Sequence, residues 1–280
     1  MDTGDPLRVV ERYAAFCETQ GYSPHTVFRY RVILTAFHKR VPHHPSVVST
    51  DDIEDYLAVD CAKLAVTTRR TIVSTLRSYF GWQERRGKIE RSPAAAIPYP
   101  RQPRRRPTYL TPEQVALVIR QPTQPRDRLL VTLLARHGQR VGAVIGLRWS
   151  DVDFGRAQIN YPVSKGTLRT MPLDADTARL LKAWRALNES EYVFPNNRGG
   201  SMSYDRARQL CKDACKRAGV PWRGCHEFRR TLATTLLQQG EPLHKVSRLV
   251  LGHADITTTI RHYAGAEDDD VAGMIRRLPY

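Results

Sequence analysis

Three short stretches of this sequence gather arginine and histidine in a way that could handle a phosphodiester. HGQRVGAVIGLRWSDVD occupies 137–153, HEFRRTLATTLLQQG occupies 226–240, and LGHADITTTIRHYAG occupies 251–265. Breaking a phosphodiester without a metal needs cations for the charge of the pentavalent phosphorane, a nucleophile, and a proton for the leaving alkoxide. Arginine suits the first task because its planar fork binds two non-bridging oxygens and never deprotonates. Tyrosine can serve as nucleophile, although a phenol with a pKa of about 10 needs a base and cationic surroundings to attack at neutral pH. Type alone decides little here: the chain holds 44 basic residues and 12 tyrosines, and most are surface or core.

The elements that must position these residues can be read from apolar spacing. Leu7, Val10, Ala14 and Cys17 recur at helical intervals, and that segment stops at Gly21. Ser23-Pro24 opens a second helix, with serine as cap and proline in the first turn. Thr50-Asp51 opens a third, from Ile53 to Val59. A fourth runs from Thr67 to about Arg85, with Ile72, Leu76, Tyr79 and Phe80 on one face, and ends near Gly87. Arg69, Arg70, Arg77, Arg85 and Arg86 are left over for solvent or phosphate.

Residues 91–108 change character, with five prolines, no acid, and arginines at 101, 104, 105 and 106. Proline denies this stretch a helix and favours an extended chain. It reads as a cationic linker, either a strap along a phosphate backbone or an ordinary exposed connector. A new domain begins at Thr111-Pro112-Glu113-Gln114, a capping box. Helices follow near 112–121 and 126–136, a hairpin over 156–173 turns at Ser164-Lys165-Gly166, and helices resume at about 174–188, 203–218, 226–239 and 243–250. His226 and Arg229, three apart, share a face of one of them. The expected fold is mainly α with a small β-sheet, divided as 1–95, a linker at 96–109, and 110–280.

Composition narrows the class. Hydrophobic residues make up 41% of 280, enough for a sizeable core, and the formal charge is +16 with a pI near 10.0. Residues 1–110 contribute +7 and the rest +9, so both halves are basic. That favours a polyanion partner, nucleic acid first, over a single basic tail, the alternative being an arginine-rich solvated surface. Five cysteines, no leader-like N-terminus and no membrane-length apolar run suggest free thiols in a reducing cytosol. Cys211, Cys215 and Cys225 beside His226 lack a second ligand pair at zinc-finger spacing, so no metal is expected.

The three arginine and histidine blocks, in this order and with a hairpin lysine between the first two, resemble the tyrosine recombinase, or phage integrase, family. The likeness covers about 110–265 closely and the helical N-terminal part more loosely, where it resembles that family's core-binding domain. It implies a helical core-binding domain and an α+β catalytic domain, with Arg140 and Arg229 on the scissile phosphate. It also implies Lys165, the only lysine on its hairpin, as general acid on the 5′ oxygen, and His226 as proton acceptor. His253 becomes a phosphate hydrogen-bond donor and Tyr263 the nucleophile. No cofactor is implied.

Two positions depart from the family pattern. The commonest spacing puts tyrosine nine residues after the histidine; here that position is His262 and Tyr263 follows at ten, which leaves open a direct role for His262. The acid often found three after the first arginine is Ala143, so altered packing around that arginine is expected. Tyr280, at the chain end, is a weaker nucleophile candidate because termini fray.

The resemblance implies cutting and rejoining of double-stranded DNA through a 3′-phosphotyrosine, with four protomers exchanging strands through a Holliday junction. DNA contacts are expected from Arg69, Arg70, Arg77, Arg101, Arg104, Arg105 and Arg106. Acids at 267–270 and Arg276-Arg277 match the dipole of a last helix, which either docks on a neighbouring protomer or packs on its own. The expected setting is the cytoplasm of a bacterial or phage-infected cell, at the nucleoid. Two other readings remain: a type IB topoisomerase that relaxes supercoils without exchanging partners, and a DNA-binding regulator that has lost catalysis.

Overall fold

The structure is a computed structural model, and it describes residues 5–102, 108–162 and 168–252. It divides into two compact units, drawn from 1–104 and 105–280. Helices dominate both, with one small sheet, as the sequence leads one to expect.

The N-terminal unit contains α1 (Pro6–Thr19), α2 (Pro24–Arg40), α3 (Thr50–Val59) and α4 (Val66–Arg85). Ser23 caps α2 by accepting from the Thr26 amide. Thr50 opens α3, three residues before the expected Ile53, and Ser49 and Asp52 form a reciprocal capping box at its start. Aromatic packing fixes the core, with the Tyr13 ring 5.4 Å from Tyr79 and 5.3 Å from Trp82. Leu7, expected inside, is exposed; Val9 and Tyr13 join Val10, Ala14 and Cys17 on the buried face of α1.

Residues 94–100 follow α4 as part of this unit. Ala94 and Ile97 are buried in its core, although Ile97 falls in the stretch expected as linker. Proline-rich chain has few amide donors of its own, so its carbonyls need donors from elsewhere. Arg77 donates to the carbonyls of Ala95 (2.9 Å) and Ile97 (2.6 Å), and Arg70 to that of Pro100 (2.7 Å). Both guanidiniums sit over the Tyr99 ring, at 4.7 and 5.1 Å.

The second unit opens with α5 (Pro112–Arg120), whose Thr111–Gln114 capping box matches the sequence reading. Next comes α6 (Pro125–His137), buried along nearly its whole length, from Leu129 to Ala135, as the central helix of the core. A five-residue helix, α7 (Val141–Ile145), follows. The antiparallel sheet has order β1 (Val152–Asp153), β2 (Gln158–Pro162), β3 (Leu168–Pro172), and pairs Ile159 with Met171 and Tyr161 with Arg169. Then come α8 (Ala175–Arg185), α9 (Tyr204–Arg217) and α10 (His226–Gln238). A single helical turn at Leu243–Lys245 runs into a π-helical turn, Val246–Leu251, that ends at Gly252 in the left-handed region (φ 59°). All five cysteines are buried free thiols. Among the described residues, no helix is long and apolar enough to cross a membrane.

Candidate active site

Arg140 is placed by the way α6 stops. Gly138 takes a left-handed conformation (φ 59°) that ends the helix, and Arg140 then occupies the N-cap position of α7. Its side chain is exposed, on the wall of a cavity of about 510 Å³. His226, the first residue of α10, lines the same cavity, as do Arg169 on β3 and Tyr204 at the start of α9. Among the described residues no acidic side chain lines it.

Arg229 stands one turn along α10 and is almost fully buried (5% exposed). Its guanidinium donates to the carbonyl of Gly138 at 2.7 Å and to the carbonyl of Leu251. One side chain therefore braces the loop that delivers Arg140 and the turn that leads into His253. Gln139 reinforces this brace: its buried amide donates to the carbonyls of His137 (2.8 Å) and Val250 (3.2 Å). Arg169 reaches the same turn, donating to Val250 at 3.1 Å. Burial and the nearby charge of Arg140 both lower the pKa of Arg169.

Under the loop, the Nδ1 of His137 and the hydroxyl of Tyr161 share a hydrogen bond of 2.8 Å. Desolvation pushes the pKa of His137 down to about 4, so the imidazole is neutral at physiological pH. Glu227, next to His226, is buried and its pKa is raised, chiefly by desolvation.

Of the expected catalytic set, Arg140 and His226 line this cavity from segments far apart in sequence, and the buried Arg229 is tied to the loop two residues before Arg140. Lys165, His253 and Tyr263 lie outside the described residues, as do His262, Tyr280, the expected last helix and Arg104, Arg105 and Arg106. Arg101 is exposed. Arg70 lines a polar cleft of the N-terminal unit with Arg29, Thr67, Thr71, Ser74 and Gln102. Arg69 is partly exposed on α4, whereas Arg77 spends hydrogen bonds on its own chain. Ala143, where the family often has an acid, is packed against the apolar core.

Gln139, Arg169 and Tyr204 are site residues that the sequence reading missed. Arg169 did leave a signal. It stands two residues before Met171 and four before Leu173, both buried, so alternation puts an arginine on the inward side of β3.

Residues 109–269 match the sequence profile of the Phage integrase family, and residues 10–87 match that of the phage integrase N-terminal SAM-like domain. Tyrosine recombinase XerC of Xanthomonas campestris pv. campestris (strain B100) is 30% identical over 278 residues, covering 90% of this chain and 83% of the relative. Tyrosine recombinase XerA of Thermococcus kodakarensis is 30% identical over 265 residues, covering 91% and 90%. Two crystal structures share the fold. A lambda integrase dimer bound to a COC′ core site has a TM-score of 0.75 at 21% identity, covering 91% of this chain and 97% of that one. The XerH recombinase bound to palindromic difH substrate, a post-cleavage complex, has a TM-score of 0.77 at 19% identity, covering 96% and 84%.

Proposed function

This chain belongs to the phage integrase family of tyrosine recombinases, and from that premise we propose how its residues divide the work of breaking and rejoining DNA. The phenolic oxygen of Tyr263 attacks the scissile phosphorus in line, and its proton passes to His226. Arg140 binds the non-bridging oxygens and, with Arg229, offsets the charge that builds on them. His253 donates a further hydrogen bond to that phosphate. Lys165 gives a proton to the departing 5′ oxygen. The products are a 3′-phosphotyrosine and a free 5′ hydroxyl. A 5′ hydroxyl from the partner duplex then attacks the phosphotyrosine, expels Tyr263 and restores the phosphodiester. One phosphoester replaces another at each step, so no energy source is consumed.

The observation that carries this reading is the placement of Arg229. It ties the Arg140 loop to the turn before His253, beside the cavity that Arg140 and His226 line. Such preorganisation of cations is what metal-free phosphoryl transfer requires.

Both units contact the same duplex, the N-terminal one through Arg69, Arg70, Arg77 and Arg101, and the stretch between the units adds Arg104, Arg105 and Arg106. Four protomers assemble on two sites and exchange strands through a Holliday junction, with the C-terminal helix docked on the neighbouring protomer. The setting is the bacterial cytoplasm, at the nucleoid, where the buried free thiols stay reduced.

The test begins with duplexes selected from a random pool by binding to the full chain. Two copies of the selected site on one plasmid should recombine, giving deletion or inversion according to their orientation. Relaxation of supercoils without exchange would point to a topoisomerase, and tight binding without either reaction to a regulator; both would overturn the reading.

A further inference from the structure

Arg169 has no part in the division of labour above, yet it stands in the wall of the same cavity as Arg140 and His226. One of its terminal nitrogens donates to the Val250 carbonyl at 3.1 Å. The rest of the guanidinium lies where a side chain on residue 252 would stand, a place left open only because that residue is Gly252. The guanidinium is thus held in place by β3 on one side and the 250–252 turn on the other.

Its surroundings differ from those of the arginines that meet carboxylates, such as Arg136 with Asp174 and Arg148 with Glu191. Here Arg140 and Arg169 share a cavity that no described acid lines, close enough for Arg140 to lower the pKa of Arg169. Two like charges in a partly dehydrated cleft repel unless an anion comes between them. Arg229, by contrast, turns donors toward the carbonyls of Gly138 and Leu251.

We propose that Arg169 is a further catalytic residue, whose guanidinium and that of Arg140 take the non-bridging oxygens of the scissile phosphodiester from two sides. This rests on the recombinase reading. The competing role is a strut that only steadies the Val250 turn.

Substituting methyl for one non-bridging oxygen makes the phosphate neutral and separates the two roles. Binding is measured in the Tyr263→Phe chain, to the selected duplex with either a phosphodiester or a methylphosphonate at the scissile position. With Arg169 present, the charged duplex should bind roughly tenfold or more tightly, as for loss of a charge-assisted contact. Arg169→Gln, which keeps a donor for Val250 without the charge, should shrink that preference by roughly fivefold or more, and Arg169→Lys should restore part of it. If Arg169→Gln weakens binding to both duplexes equally, or leaves both unchanged, Arg169 does not touch the phosphate. Covalent attachment of the unmodified chain to a nicked duplex is scored separately, so failure of the recombinase reading would be seen apart from failure of this one.

Discussion

Arg229 donates to the carbonyl of Gly138 at 2.7 Å, across 91 residues of sequence, and so fixes the loop two residues before Arg140. The same guanidinium reaches Leu251, two residues before His253. Removing it leaves two buried carbonyls without a charged donor. Arg229→Ala should therefore cost about 2–4 kcal/mol in the stability of the catalytic unit, the scale for stripping a buried charged hydrogen-bonding group. Urea unfolding followed by Trp149, Trp184 and Trp222 fluorescence measures this. A loss of less than about 0.5 kcal/mol would mean the brace carries little of the fold. Arg229→Lys should recover little, because one ammonium cannot span both carbonyls as the fork does.

Gly138 offers a second handle on the same loop. Its φ of 59° and the 2.8 Å between an added Cβ and the Cδ2 of Leu232 both oppose a side chain. Gly219 has a similar φ of 67° but nothing within 4 Å of an added Cβ. Alanine at either position should cost about 1–2 kcal/mol for the left-handed backbone. Gly138→Ala should cost more than Gly219→Ala, and it alone should slow DNA cleavage, because Arg140 is carried by the displaced loop. Equal costs in melting and equal cleavage rates would show that the Leu232 contact does not hold Arg140 in place.

The buried His137 makes stability depend on pH. Its folded pKa of about 4 lies below the ordinary 6.5, so the unfolded chain binds more protons between those values. Stability from this group is therefore complete above about pH 6.5 and is lost as pH falls toward 4, by roughly 3 kcal/mol in total. Asp174 acts against the shift and Arg136 with it, but burial dominates. His137→Gln, which cannot charge, should flatten the difference in urea midpoint between pH 7 and pH 5 relative to the parent chain. An unchanged pH slope would place the titration elsewhere.

Much of this architecture can be read from the sequence where local chemistry and tertiary packing agree. The Thr111–Gln114 box starts α5 where the residues say it should, and the β2–β3 hairpin follows its alternation. Other features depend on partners that spacing cannot reveal. At five residues, α7 is too short for apolar periodicity to register, and the two-residue β1 exists only because β2 pairs with it. Ile97 reads as linker but is buried, because Arg77 supplies the hydrogen bonds its proline-rich surroundings lack. Arg140, His226 and Arg229 could be picked out through the blocks that contain them. What the sequence concealed was that Arg229 also binds main chain, and that Arg169 joins Arg140 at the cavity.

Everything in the mechanism turns on which phenol becomes attached to DNA. Tyr204 lines the cavity beside Arg140 and His226, and it is the natural competitor. The decisive measurement uses a nicked suicide duplex bearing the selected site, with the covalent protein–DNA adduct isolated on a denaturing gel and the modified peptide located by mass spectrometry. The account predicts a 3′-phosphotyrosine at Tyr263, abolished in Tyr263→Phe and retained in Tyr204→Phe. An adduct at Tyr204 or Tyr280, or one that survives Tyr263→Phe, would contradict it.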